Sequence, residues 1–381
     1  MTEITHIPPP LGLEPGAHEG EFLINMGPQH PSTHGVLRLV LRMEGEVIRG
    51  VWPVIGYLHR NHEKIAESRP YSAFTMFSDR LDYLASMNMN LGYAIAVERL
   101  CGFEVPERAE HIRVIMAELN RIASHLVWFG TYGLDLGAWT PMLFGFRERE
   151  QIIDLFEMAC GARLTYSYII PGGVTEDLPD GFVERARAFL RMMPAKLREY
   201  DDLLGDNVIF RRRVEGIAPL DTETAVALGV TGPLLRATGL RWDLRRDAPY
   251  SIYDRFDFEI PTGTTGDCMD RYTVRMTEIR ESLRIIEQAL DALPDGPIQG
   301  KVPRVIRAPK DAEIYDRTES PRGEYGIYIV SDGKPQPWRL KVRAPSFSNL
   351  MSVAPTSIGL KIADLVAIVG SIDIVMGEVD R

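Results

Sequence analysis

The chain has 381 residues, 45% of them hydrophobic, and its formal net charge at pH 7 is −10. This apolar content is enough for a large core, and the interspersed charges argue against a binding surface for nucleic acid or anionic lipid. No apolar run is long enough to cross a bilayer, and residues 1–20 lack the basic and then apolar pattern of a secretion signal.

Cysteine usage points to an intracellular protein. Cys101, Cys160 and Cys268 are too far apart in sequence to form a cluster motif or a disulfide framework. The sequence therefore predicts a cytoplasmic location and no iron–sulfur centre held by this chain.

The N-terminal part is predicted to be a loose arm at 1–20 followed by a small antiparallel sheet at 22–54. Between two strand-like runs lies Gly-Pro-Gln-His-Pro-Ser-Thr-His-Gly, residues 27–35, which carries His30 and His34. Its glycines allow unusual backbone angles and its prolines fix φ, so we expect a stiff hairpin tip. An exposed turn with ordinary surface histidines is the alternative.

The middle of the chain has the pattern of a helical bundle. Ser78 is placed to cap one helix, and Pro106 opens another whose apolar residues recur every three to four positions. Residues 133–137, Gly-Leu-Asp-Leu-Gly, break that pattern and set the Asp135 carboxylate between leucines and glycines. Further amphipathic helices are predicted at 140–161, 182–204 and 267–293.

The C-terminal part is predicted to be a proline-rich surface crossing at 295–320, a hairpin formed by 325–330 and 338–342, and a last apolar helix. The fold class is thus α+β and mainly α, a long-helix bundle with small antiparallel β-sheets at its periphery. We expect a single domain after the arm, 21–381. Within it we expect an N-terminal β-sheet at 21–55, a helical bundle at 56–294, and a linker with the hairpin and the terminal helix at 295–381.

Proton transfer is the chemistry that the residues favour. His34 titrates near neutrality, and Asp135 in an apolar loop needs a partner to stay ionised, so the two form a plausible proton donor and orienting carboxylate. Tyr83 offers a phenolic donor, although a core tyrosine is the simpler interpretation. A metal site is not predicted because histidines alone would have to converge, and no serine lies in a strand-to-helix elbow.

Several motifs together closely resemble one family, the D or 49-kDa subunit of respiratory complex I. The resemblance extends over nearly everything after residue 20. The motifs are Gly27-Pro-Gln-His-Pro-Ser-Thr-His-Gly35, Gly56-Tyr-Leu-His-Arg60, Asp79-Arg-Leu-Asp-Tyr83, Gly133-Leu-Asp-Leu-Gly137, Lys341-Val-Arg-Ala-Pro-Ser346 and Gly377-Glu-Val-Asp-Arg381.

That family is related to the large subunit of nickel–iron hydrogenases, so the resemblance implies a hydrogenase-large-subunit-like fold. The two Cys-x-x-Cys pairs of the hydrogenases correspond here to residues 82–85, Asp-Tyr-Leu-Ala, and 375–378, Val-Met-Gly-Glu. Without soft thiolate ligands a nickel–iron site cannot form. The resemblance implies that the emptied cavity serves as a quinone pocket and that this chain binds no metal.

The resemblance also assigns roles. His34 and Tyr83 hydrogen-bond the quinone headgroup, Asp135 pairs with His34, and Arg60 lies beside the terminal iron–sulfur cluster of a partner subunit. FMN and all iron–sulfur clusters belong to other subunits. The chain is expected to join the other complex I subunits and the membrane arm, peripherally, on the cytoplasmic side of the cell membrane. The implied enzyme is a proton-translocating NADH:quinone oxidoreductase.

One segment departs from the family pattern. Two histidines are usual where this chain has Thr165 and Tyr166, and an arginine is usual at Ile170. With a titratable and a cationic group missing, we expect the partner's cluster to have a lower, less pH-sensitive midpoint potential.

Two rival functions stay open from the sequence. One is the equivalent subunit of a ferredoxin-linked membrane complex, and the other is a structural subunit without an active quinone site. Neighbouring genes for a flavin and NADH module would favour the first assignment, while substitution of His34 or Tyr83 would test for a scaffold.

Overall fold

The computed structural model describes residues 20–28 and 35–381. The predicted fold class is confirmed, because helices predominate and the strands of the described residues form three small antiparallel sheets. All of the predicted arm except Gly20 lies outside the described residues, as do His30 and His34.

The elements are numbered in chain order. The strands are β1 (Glu21–Met26), β2 (Arg38–Glu44), β3 (Val47–Val54), β4 (Ile169–Ile170), β5 (Gly173–Val174), β6 (Glu313–Ser320), β7 (Gly323–Val330) and β8 (Arg339–Arg343). The helices are α1 (His62–Ala66), α2 (Tyr71–Ser78), α3 (Ser86–Cys101), α4 (Glu107–Asp135), α5 (Thr140–Cys160), α6 (Phe182–Tyr200), α7 (Val208–Val214), α8 (Thr222–Ala227), α9 (Pro233–Ala237), α10 (Leu244–Asp247), α11 (Cys268–Asp291), α12 (Pro345–Leu350), α13 (Val353–Ser357), α14 (Ile362–Ile372) and α15 (Met376–Asp380).

Helix α4 lies at the centre of the bundle. It contacts α3, α5, α11 and α14, and its residues are buried on every side from His111 to Leu126, as expected for a helix inside a large core. Trp128 connects α4 to α14, since its Nε1 donates a hydrogen bond to the Gly370 carbonyl at 2.8 Å. The Arg275 guanidinium of α11 lies 4.6 Å from the Trp128 ring centroid. Helices from distant parts of the sequence thereby meet at α4.

The sheets confirm the predicted N-terminal antiparallel sheet and the predicted C-terminal hairpin. The Glu44–Gly45 turn joins β2 to β3, and residues 331–338 join β7 to β8, both pairs being antiparallel. Sheet order is β1-β2-β3, β4-β5 and β6-β7-β8. Between α5 and α6 the chain forms one short pair of strands, β4 with β5.

Three element predictions were wrong in detail. Residues 313–320 are not a surface crossing but strand β6, paired with β7 along its whole length. Ser78 ends α2 and caps nothing, and its hydroxyl donates to the Thr75 carbonyl at 2.8 Å instead. Helix α4 continues through Gly133 and ends at Asp135, so Asp135 is the last helical residue rather than part of a loop.

The last residues hold the loop that precedes α1. The Asp380 carboxylate accepts hydrogen bonds from the backbone N–H of Gly56 at 2.8 Å and of Leu58 at 2.7 Å. The Arg381 carbonyl accepts from the N–H of Arg60 at 3.2 Å. The C-terminal segment therefore fixes the backbone from which the Arg60 side chain projects.

Candidate functional site

Three segments distant in sequence converge at one place: the loop before α1, the turn between α2 and α3, and residues 373–381. The Arg60 Nη2 group joins all three, since it donates to the Arg80 carbonyl at 2.5 Å and to the Gly377 carbonyl at 3.2 Å. A methyl group on Gly377 would stand 2.6 Å from the Leu81 carbonyl oxygen and 3.0 Å from Arg60 Nη2. Only a glycine fits there without displacing its neighbours.

Tyr83 lies in the turn between α2 and α3 and is half-buried. Burial raises the pKa of its phenol, and the neighbouring Asp82 raises it further, while Arg322 and Arg60 oppose the rise. The hydroxyl therefore keeps its proton at neutral pH and is available as a hydrogen-bond donor.

Arg60 is also half-buried. Burial lowers its pKa, and the nearby Tyr83 is the largest influence in the other direction. Its Nε is buried and has no hydrogen-bond partner in the described part of the chain. The structure thus brings two of the predicted site residues, Arg60 and Tyr83, to one place and leaves a donor of Arg60 unused.

Behind Tyr83 lies a buried ion cluster that the sequence interpretation did not include. Arg322 donates to the Asp82 carboxylate at 2.6 Å, to the Ser124 hydroxyl at 3.0 Å and to the Asp373 carboxylate at 3.1 Å. Two carboxylates face one guanidinium, and burial raises the pKa of Asp82. The cluster ties β6–β7, α4 and the C-terminal segment to the Tyr83 turn.

Glu378 extends this cluster. It is fully buried, its Oε1 accepts from the Ser346 N–H at 2.9 Å, and burial, with the negative charge of Asp82, raises its pKa to about 8. Asp82 and Glu378 belong to the two segments that the sequence analysis matched to the cysteine pairs of the hydrogenases, 82–85 and 375–378. That expectation is the sequence signal for their importance, since their separation along the chain hides their proximity.

Asp135 is the last residue of α4 and is partly buried. Its Oδ2 lies 3.4 Å from the point where a methyl group on Gly370 of α14 would stand. His34 falls outside the described residues, so its pairing with Asp135 and its place beside Tyr83 stay predictions. The following residue, Gly35, does reach this region, because a methyl group on it would stand 3.8 Å from Met376 Cγ.

The segment that departs from the family pattern docks on the same turn. Asp79 Oδ2 accepts from the backbone N–H of Ser167 at 2.7 Å and from its hydroxyl at 2.8 Å. Thr165 and Ser167 both have positive φ, at 56° and 45°. Burial raises the pKa of Asp79 to about 6. A titratable carboxyl group therefore lies next to the segment that was expected to depart from the family pattern.

Metal ligands do not assemble in the described part of the chain. Within residues 20–28 and 35–381, no three His, Cys, Asp or Glu side chains come together as a metal site would need. Among the same residues, no helix combines the length and apolar character needed to cross a membrane.

Comparison with known proteins gives one consistent match. Residues 135–312 and 302–381 match the family described as the respiratory-chain NADH dehydrogenase 49 Kd subunit. A Geobacillus thermodenitrificans protein, named as the D subunit of NADH-quinone oxidoreductase, is 54% identical over 361 residues, covering 94% of this chain and 98% of the relative. Proteins of the same name from Bacillus mycoides and Desulforamulus reducens are 54% and 53% identical with the same coverage.

Proposed function

Since the chain belongs to the 49-kDa subunit family of the respiratory-chain NADH dehydrogenase, we propose that it contributes the quinone-binding site of that enzyme. It is a subunit of NADH-quinone oxidoreductase, an oxidoreductase, and the other subunits of complex I are its partners.

The placement of Arg60 and Gly35 against Met376 and Gly377, with Tyr83 close to Arg60, is the observation that carries this proposal. A phenol that keeps its proton lies beside a half-buried cationic side chain. Carbonyl oxygens of a quinone are hydrogen-bond acceptors, and the phenol is a donor that can meet one of them. The site therefore has the polarity that a quinone headgroup requires.

In this reaction the chain supplies protons to the quinone and does not supply electrons. Reduction of a quinone to a quinol takes two electrons and two protons. The electrons come from the iron–sulfur cluster of a partner subunit, and the protons come from groups that touch the headgroup oxygens. Tyr83 and His34 hold those protons, and Asp135 orients the His34 imidazole and stabilises its protonated form.

Arg60 raises the midpoint potential of the partner subunit's iron–sulfur cluster. Its fixed positive charge favours the reduced state of a nearby centre, because that state carries one more negative charge. Burial strengthens the interaction, since fewer water molecules screen it. Through the assembled complex the subunit works peripherally, at the cytoplasmic side of the cell membrane.

Substitution of Tyr83 by Phe in the assembled complex tests the proposal. Losing one proton donor is expected to lower NADH:quinone reductase activity roughly 100-fold, the low end of the range for a positioned acid. NADH oxidation by a hydrophilic artificial acceptor, which draws electrons before the quinone step, is expected to stay at the wild-type rate.

Tyr328→Phe is the matched control, because the Tyr328 hydroxyl lies on the outside of β7, where it donates to Glu313 at 2.7 Å. It should leave both activities unchanged. If Tyr83→Phe complexes assemble and reduce quinone at the wild-type rate, the role given to Tyr83 is wrong. If His34→Ala also has no effect, the chain is a scaffold.

A further inference from the structure

A groove of about 620 Å³ lies on the outside of the bundle between α6 and α11. Glu287 is the one carboxylate among its described lining residues. Five arginines line it, three from α6 and two from α11: Arg187, Arg191, Arg198, Arg280 and Arg284. On a chain with a net charge of −10, this is a strong local concentration of positive charge.

Part of that charge is compensated from within the chain. Three of the arginines contact carboxylates of neighbouring elements: Arg187 with Asp291 at 2.7 Å, Arg280 with Asp201 at 2.5 Å, and Arg284 with Asp257. Arg191 and Arg198 are exposed and contact no carboxylate of the described residues. Two full charges are thus left for an external partner.

The spacing of the arginines is unfavourable for the isolated helices. Arg187 and Arg191 are four residues apart on α6, and Arg280 and Arg284 are four apart on α11. Like charges at this spacing repel one another. An anionic occupant would remove the repulsion in the groove.

The floor of the groove is apolar. Leu190, Pro194, Leu197 and Leu283 lie between the arginines. Pro194 lacks an N–H, so the Leu190 carbonyl loses its helical donor and can accept from a ligand. From Arg187 to Arg198 the groove follows about 16 Å of helix at 1.5 Å per residue. A small anion would neutralise one or two arginines and leave this floor in contact with water.

We propose that the groove binds an acidic, partly apolar polypeptide segment of another subunit of the same complex. Carboxylates of the segment pair with Arg191 and Arg198, and bidentate geometry makes arginine the suitable residue for such pairs. Its apolar side chains cover the leucines, and its backbone N–H groups reach the Leu190 carbonyl. Arginine and apolar side chains together are typical of protein interfaces.

Charge reversal in the whole complex is the first test. In the double variant Arg191→Glu, Arg198→Glu, the salt concentration at which a partner is released from the purified complex is expected to fall at least twofold. Native mass spectrometry identifies the released partner. The variant Arg191→Lys, Arg198→Lys keeps the charge but loses the bidentate geometry, so its release midpoint should lie between that of the wild type and that of the Glu variant. Arg212→Glu changes an exposed arginine of α7 outside the groove and serves as the control.

A photo-crosslinking amino acid at position 191 of the assembled complex is the second test, and position 212 is its control. A crosslink from 191 to a segment rich in Asp and Glu supports the proposal. A crosslink to lipid, to a segment without acidic residues, or no protein crosslink overturns it. Equal salt midpoints in all variants also overturn it.

Discussion

Glu378 is a buried carboxyl group with one satisfied oxygen and one unsatisfied one. Its Oε1 accepts from the Ser346 N–H, whereas Oε2 has no hydrogen-bond partner within the described residues. With its pKa raised to about 8, the group is mainly neutral at pH 7. Deprotonation would place a second negative charge close to Asp82 in a dry environment. The residue therefore holds a proton close to Asp82 at neutral pH.

This raised pKa makes the local stability depend on pH. The folded-state pKa of about 8 lies above the ordinary value of 4.5. The stabilising contribution of the bound proton is therefore complete below pH 4.5 and disappears as the pH rises through about 8. In Glu378→Gln we expect amide hydrogen exchange of residues 375–381, measured on the assembled complex and corrected for intrinsic rates, to lose this dependence between pH 6 and 9. An equal pH slope in both complexes would contradict the assignment.

Helix α14 depends on the absence of a side chain at Gly370. A methyl group there would stand 2.7 Å from Tyr132 Cδ2, and Tyr132 cannot move aside because its ring stacks on Trp128 at 5.3 Å between centroids. Helix propensity alone would make Gly370→Ala stabilising by about 1 kcal/mol. We expect a net destabilisation of about 1–3 kcal/mol from overpacking, seen as faster amide exchange in α14 and at the end of α4.

Ala363→Gly is the comparison for Gly370→Ala. Ala363 is an exposed residue of the same helix. Its replacement by glycine lowers the helix propensity by about 1 kcal/mol and leaves the core unchanged. Its faster exchange should be confined to α14. If Gly370→Ala slows exchange at Asp135 instead, the close approach of α14 and α4 does not limit their packing.

Helices were easier to predict from the sequence than strands. The apolar spacing along α4 is a local signal, so both its existence and its length follow from residues that are close in sequence. Strand β6 was missed because its charges resemble a loop, yet Glu319 and Asp316 are buried. Their partners, Arg236 and Arg99, lie far away in sequence, so only the tertiary structure explains buried carboxylates on this edge strand.

The interior of the whole molecule is held together by buried ions as well as by apolar side chains. Helices α4, α9, α10 and α11 and strand β6 all contribute to one network. Its members are Glu118, Arg121, Arg236, Asp243, Arg245, Glu278 and Glu319. Removing one partner from such a network leaves an uncompensated buried charge, which costs about 3–5 kcal/mol. The arrangement fixes how the helices meet.

Glu278 gives this network a predictable response to acid. It accepts from Arg236 at 2.7 Å and lies 3.0 Å from His125 Nε2, and Arg236 is the main influence that lowers its pKa, to about 2. Its stabilising contribution is therefore present above pH 4.5 and lost as the pH falls toward 2. In Glu278→Gln we expect the free energy of opening of α11, measured by amide hydrogen exchange, to be about 3 kcal/mol lower at pH 7 than in the wild type. We also expect the protection of its amides to fall less between pH 5 and pH 3.

Glu287→Gln is the control for that measurement, because Glu287 lies on the same helix but is exposed. Its exchange profile should follow the wild type across the whole pH range. A Glu278→Gln complex with unchanged protection at pH 7 would mean that the network does not stabilise α11.

Only part of the candidate site could be predicted from the sequence. Tyr83 and Arg60 were identified by resemblance to a family, and the structure places them near each other. Arg322 was missed because an isolated arginine after a β-strand carries no local signal. Its partners, Asp82 and Asp373, are 240 and 51 residues away. A contact of that range becomes visible only when the whole chain is folded.

The hydrogen bonds from Gly56 and Leu58 to Asp380 have a consequence for biosynthesis. They join residues that are 324 and 322 positions apart. The ribosome must therefore make residue 380 before the Arg60 loop finds its acceptors, and closing so long a loop has a high entropy cost. The loop therefore stays open until the last residues of the chain are available. We expect this region to form late in the folding of the subunit, together with α14, which packs on α4.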